Sequence, residues 1–187
     1  MNKPKKLKKW KVISQFTKID SPWLTLFGEN LETNKHETLE YWRVEKPNGI
    51  IAITIQNNKI ILPKLMYRPG VGKYTLDFCG GRFDNKNIDS SATEIVKREL
   101  GIDDKTPLTK IERINKKPWQ VDSSFTNVYI FGLVAYIKPD VVIKNESIHS
   151  SYDLTNQGIN KLLDKLTCLQ CRAMLLEWLR QNENKFK

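Results

Sequence analysis

The first half of the chain is a series of short apolar runs separated by turn residues, and only beyond Asp89 does the apolar spacing become helical. Residues 10–28, WKVISQFTKIDSPWLTLFG, read as strands interrupted at Ser21-Pro22. Residues 39–46, LEYWRVEK, form another strand, closed by the turn signal Pro47-Asn48-Gly49. The runs IIAITIQ (50–56) and KIILPKLMY (59–67) flank Asn57-Asn58 and predict a β-hairpin. Pro69 to Gly72 is a loop, and YTLDF (74–78) a short strand entering Gly80-Gly81. A helix is predicted over Asp89 to Leu100, with Ser91 and Glu94 as a capping box and Gly101 as the stop. Strands return at 109–115 and 125–137, and residues 152–182 close the chain with one or two helices. This order, without internal repeats, predicts a mixed α/β sandwich rather than a doubly wound parallel sheet.

A length of 187 residues suits one domain with a small extension. The expected division is a basic, disordered tail over 1–9, a strand region over 10–48, and a main domain over 49–187 that includes the C-terminal helices. Apolar residues make up 40% of the chain, enough for a packed core, yet no window holds 18 uninterrupted apolar residues, so no membrane span is predicted. The opening MNKPKKLKKWKV is basic with no apolar run of signal-peptide length behind it, which predicts a cytoplasmic protein. The formal charge of +10, densest at positions 3–11, favours phosphate-bearing ligands over cationic ones. No nucleic-acid motif accompanies it, so the tail is read as a solvated extension before a nucleic-acid arm.

Three cysteines, Cys79, Cys168 and Cys171, make no disulfide framework. Cys168 and Cys171 form a C-x-x-C inside LLDKLTCLQCRAMLLEWLRQ, which repeats apolar residues at helical spacing. With no second pair to complete a zinc site, both are read as small residues on or beside the core face of a helix. His36 and His149 are isolated and read as loop residues.

From Trp42 to Ile102 the chain carries PNGIIAITIQNNKIILPKLMYRPGVGKYTLDFCGGRFD and then a helix ending in RELGI. In this it resembles the Nudix hydrolases, specifically their ADP-ribose pyrophosphatase-like branch. MYRPG (66–70) and DFCGGR (77–82) stand where that branch has Q-Y/F-R-P and E-L/F-P-A/G-G-R, and WQVDSSFTNVYIFGLVA (119–135) is similar to the segment before its next core strand. The resemblance runs from about Trp10 to Tyr136. It implies a Nudix-type α/β/α sandwich with a mixed sheet and an N-terminal strand region able to mediate a homodimer.

The family's box is G-x5-E-x7-R-E-U-x-E-E-x-G-U, with U aliphatic. Counted from Gly81, or back from Gly101-Ile102, or with Arg98-Glu99-Leu100 as a literal R-E-U, it is not restored. In the family several carboxylates on one helical face bring Mg²⁺ or Mn²⁺ to a pyrophosphate, and the ions activate the attacking water. Counted back from Gly101-Ile102, one such position would hold Arg98. A unit-charge contact at ~4 Å is worth roughly 4 kcal/mol at an effective dielectric of about 20, and a divalent ion feels it twice.

The resemblance implies Glu99 as the surviving catalytic acid and metal ligand, joined by the Gly80 carbonyl, with Glu146 in KNESIH as a base from a late loop. It assigns Arg68, Arg82, Gly80 and Gly81 to the substrate phosphates. Glu94, Asp84 and Asp89 are left to capping and turn duty. Trp23, Trp42 and Trp119 either stack on a base or are buried in the core or a dimer interface. The implied function is that of a protein related to hydrolases of nucleoside diphosphate-linked substrates, ADP-ribose or nucleotide sugars. Its metal-dependent activity would be weak or lost; the alternative is a non-catalytic nucleotide-binding or scaffold protein on the same fold.

Overall fold

The computed structural model describes residues 9–83, 87–108 and 110–183. Most of the expected basic tail, together with Asp84, lies outside these residues. The chain divides into two units, Met1–Pro47 with Gln120–Val128, and Asn48–Trp119 with Tyr129–Lys187.

The first unit is an antiparallel sheet of β1 (Lys11–Asp20), β2 (Thr25–Glu32) and β3 (Thr38–Glu45), in that order. The predicted break at Ser21-Pro22 is where the chain turns, and Ser21 Oγ accepts the N–H groups of Trp23 and Leu24. Gly28 lies beneath Phe16: a Cβ there would come within 2.5 Å of its ring, which meets Trp42 edge-on. Buried Glu29 is gripped by Arg43 through bonds of 2.9 and 3.0 Å. Residues 120–128 join this unit through Val44 N–H to the Phe125 carbonyl, 2.8 Å, and Tyr41 Oη to the Ser124 carbonyl.

In the second unit β4 (Asn48–Gln56) is the axis. On one edge it runs parallel to β11 (Tyr129–Tyr136). On the other it pairs antiparallel with β8 (Cys79–Phe83) along its first half and β5 (Lys59–Pro63) along its second. β12 (Ile148–Asp153) extends the sheet beyond β5, while β9 (Lys110–Arg113) and β10 (Trp119–Gln120) border β11. A separate hairpin, β6 (Met66–Arg68) and β7 (Lys73–Thr75), surrounds a tight turn that Gly72 closes at φ 63°.

Strand residues alternate between faces, and the alternation builds two layers. Ile50, Ala52, Leu133 and Ala135 pack with Ala92, Ile95 and Leu100 of α1 (Ile88–Leu100). Gly132, of opposite parity in β11, meets Met174 of α3 (Leu169–Gln181), and α2 (Asn156–Lys165) packs on β12. The result is a mixed α/β/α sandwich. Among the described residues no helix is long and apolar enough to cross a membrane.

Several predicted elements differ in detail. Asn57-Asn58 does turn the β4–β5 hairpin, both residues at positive φ. Pro47-Asn48-Gly49 is no turn: Asn48 Oδ1 accepts the Tyr129 N–H, and a side chain at Gly49 would strike Ile130, so this stretch starts β4. The 59–67 run breaks after Pro63, where the Lys64 N–H goes to Ser147 instead of continuing the ladder. The strand predicted at YTLDF stops at Thr75, and the diglycine itself is strand, because β8 pairs with β4. β12 falls in a mostly polar stretch, IHSSYD, that no apolar run announced. The helix cap is Asn87, whose Oδ1 accepts from Asp89 and Ser90 N–H, and not the Ser91–Glu94 box.

Candidate functional site

A cavity of about 160 Å³ opens where the β6–β7 hairpin, residues 77–78, the last turn of α1 and Ser147 converge. Three cationic side chains, Lys64, Arg68 and Arg98, line it against two carboxylates, Asp77 and Glu99. By charge, it is disposed toward an anion.

Glu99 reaches this cavity because β8 lies along α1. Its side chain is 13% exposed. Oε2 accepts the Gly80 N–H at 3.3 Å, and Oε1 accepts from Arg98 Nη2 at 3.1 Å. Burial pushes the carboxyl pKa up, and the Arg98 bond, the Gly80 N–H and the charge of Arg68 oppose that rise. Across the cavity, Arg68 donates through Nε and Nη2 to Asp77 Oδ2, at 2.9 and 2.7 Å. Thr75 Oγ1 donates to the same oxygen at 2.9 Å.

The other candidates separate. Arg82 is exposed on β8 opposite Gly49 and does not line the cavity. Glu146 is exposed in the 3-10 turn Asn145–Ser147, and its neighbour Ser147 lines the cavity instead. Gly81 gives room to α1: a Cβ there would stand 3.0 Å from Ile95 Cδ1 and 3.4 Å from Arg98 Nη2. At Gly80 a Cβ would meet the Ile50 carbonyl at 3.1 Å. In the neighbouring unit Trp23 and Trp42 are both exposed.

The helix end bears on how the box of the resembled family would lie along this chain. Gly101 takes the left-handed φ of 62° and Ile102 is buried, as a closing glycine–aliphatic pair should be. Counted forward to that pair, such a box would open on Gly80 rather than Gly81. Its four acids then fall on Lys86, Ile95, Arg98 and Glu99. Lys86 lies outside the described residues, and Ile95 is buried in the core.

This donor set does not fit a magnesium or manganese ion. Magnesium requires hard oxygen ligands in near-octahedral array. The single box carboxylate has both oxygens engaged by N–H donors, one of them a guanidinium. Asp77 is committed through Oδ2 to Arg68 and Thr75. An ion here would have to displace donors and sit beside Arg98.

Residue-by-residue reading missed Lys64, Asp77 and Ser147. For Asp77 the signal was present, since it stands in DFCGGR where the branch motif has a glutamate. Its importance depends on Arg68, which only the β6–β7 hairpin brings near. Lys64 and Ser147 meet through a backbone bond between distant segments, which no local pattern shows.

No family model matches the chain, and no curated protein sequence does either. Among solved structures, one described as an ADP compounds hydrolase is similar to it, with a TM-score of 0.76 and 18% sequence identity. The match covers 95% of this chain and 98% of that one. It establishes the Nudix-type α/β fold, with a mixed sheet and, among the described residues, three α-helices.

Proposed function

We propose that this chain is a divergent Nudix-family protein that binds a nucleoside diphosphate-linked compound, of the ADP-ribose or nucleotide-sugar class, with little or no metal-dependent hydrolysis. The observation that carries the reading is the state of Glu99. Its two oxygens are held by the Gly80 N–H and the Arg98 guanidinium. A group that neutralises Glu99 from within the protein replaces the divalent ion.

The likeness to an ADP compounds hydrolase supports the substrate class through the fold alone. The lining of Lys64, Arg68 and Arg98 supports an anionic ligand. Guanidinium groups pair well with phosphate, so Arg98 and Arg68 would hold a diphosphate through the N–H groups that Glu99 and Asp77 leave, with the Ser147 hydroxyl as a further donor. Arg82, Gly80 and Gly81 would act from β8, beside rather than inside the cavity. The exposed apolar residues of the first unit, Val12, Ile13, Phe16, Ile19 and Trp42, support a homodimer through its three-stranded sheet.

Calorimetric titration with ADP-ribose tests this reading. The wild-type chain should bind without added metal, and Arg98→Ala should weaken binding by about tenfold, the scale of a lost charge-assisted phosphate contact of 1.5 kcal/mol or more. Equal affinity in wild type and variant would remove the cavity from consideration.

A further inference from the structure

We propose that Cys168, Cys171 and Asp77 form a binding site for a thiophilic divalent cation of the Zn²⁺ type. Each offers one ligand atom, and the two sulfurs and a carboxylate oxygen all lie within 4.8 Å of one another. Around a tetrahedral zinc, with bonds of about 2.3 Å to sulfur and 2.0–2.2 Å to oxygen, ligand atoms stand about 3.3–3.8 Å apart. A bound ion would draw the three atoms together from their present separations of up to 4.8 Å.

The sequence spacing accounts for the pair of thiols. Cys168 is the N-cap of α3 and Cys171 lies in its first turn, so both side chains gather at one end of the helix. Asp77 arrives from a segment 91 residues earlier, between β7 and β8. Its orientation is already set. Arg68 Nε, Arg68 Nη2 and Thr75 Oγ1 all donate to Oδ2, and Oδ1 has no protein donor among the described residues. Metal-bound carboxylates are oriented by a supporting shell of hydrogen-bond donors of this kind. Packing alone explains buried Cys171, but not the half-buried Cys168 and the half-buried carboxylate that converge on it.

The chemistry of the donors selects the ion. Two thiolates and one carboxylate suit zinc and similar cations, and are unsuited to magnesium. On binding, each thiol gives up its proton to solvent, and the ion takes both sulfur lone pairs. Three protein ligands leave a fourth position for water. Because Asp77 also holds Arg68, a bound ion would tie the start of α3 to the wall of the anion cavity. The proposal does not rest on nucleotide binding at that cavity.

The full chain, reduced with a non-thiol reductant and stripped by a chelator, is titrated with Co²⁺ alone and then with Zn²⁺ alone. Expected are sulfur-to-cobalt charge-transfer absorption with tetrahedral ligand-field bands at one Co²⁺ per chain, and loss of that signal on adding Zn²⁺. Zinc should also shield Cys168 from alkylation. Cys168→Ser and Asp77→Asn, each checked for native circular dichroism, should both lower Co²⁺ affinity by about tenfold or more. Absence of the charge-transfer band in the wild type would overturn the proposal. So would an unchanged band and affinity in Asp77→Asn, which would reduce the site to a dithiol. A Cys168–Cys171 disulfide that forms in air despite saturating Zn²⁺ would also overturn it, identifying a redox pair instead. Cys168 is half-buried, so its serine variant keeps the test open even if Cys171→Ser does not fold.

Discussion

Glu99 is pulled in two directions, and the balance is measurable. Burial raises its pKa above the ordinary value of 4.5, while Arg98 and the Gly80 N–H restrain the rise. A carboxyl whose folded pKa exceeds its unfolded one binds more protons in the native state. Stability contributed by this group is therefore fullest at acid pH and falls as pH rises from 4.5 through the folded pKa. Glu99→Gln removes the effect. Urea unfolding should show the variant matching wild type at about pH 4 and exceeding it at about pH 7; the reverse order would mean that the ion pair outweighs burial. At this scale the sequence was partly legible. Glu99 stood out because the resemblance implied it as the surviving acid. Arg98 pairs with its immediate neighbour Glu99 rather than with an acid one turn back, the usual helical geometry. That exchange follows from the end of the helix: Glu99 is drawn inward to the Gly80 N–H, and Arg98 follows it to the cavity rim.

The elements are secured by a few positions whose roles differ from their usual ones. Asn87 caps α1, so Asn87→Ala should cost about 1 kcal/mol in chemical denaturation, whereas Ser91→Ala should change little. Glycine to alanine inside a helix ordinarily stabilises by roughly 0.5–1 kcal/mol. At Gly158 in α2 the sign should reverse, because a Cβ would stand 2.3 Å from the Asp153 carbonyl oxygen, part of the backbone. Displacing that strand end costs about 1–3 kcal/mol, and a lowered urea midpoint would show it. Strands with continuous apolar runs, such as β4 and β11, were visible in the sequence. β12 was not, since its inward residues alternate with Ser and Asp and its place depends on pairing with β5. The diglycine was not read as strand, yet it lies in β8, where Gly81 lets the strand lie close beneath α1 and Gly80 lies close to the Ile50 carbonyl of β4.

The whole chain has a +10 charge, and its cavity lining is itself weighted toward cations. The α/β class and Nudix-type architecture were legible from the order of elements and from MYRPG and DFCGGR. The cation-rich cavity was not, because Lys64, Arg68, Arg98 and Ser147 come from four separate segments. If nonspecific attraction to polyanions were the main activity, oligonucleotide binding would fall steeply with added salt. The cavity reading predicts instead that ADP-ribose competes and that a mixed oligonucleotide does not displace it. The most direct measurement incubates the wild-type chain with ADP-ribose, with and without Mg²⁺ or Mn²⁺, and follows binding and phosphate-ester cleavage together. The account predicts the same affinity in both conditions and little or no cleavage in either. Cleavage that requires the metal and disappears in Glu99→Gln would contradict it.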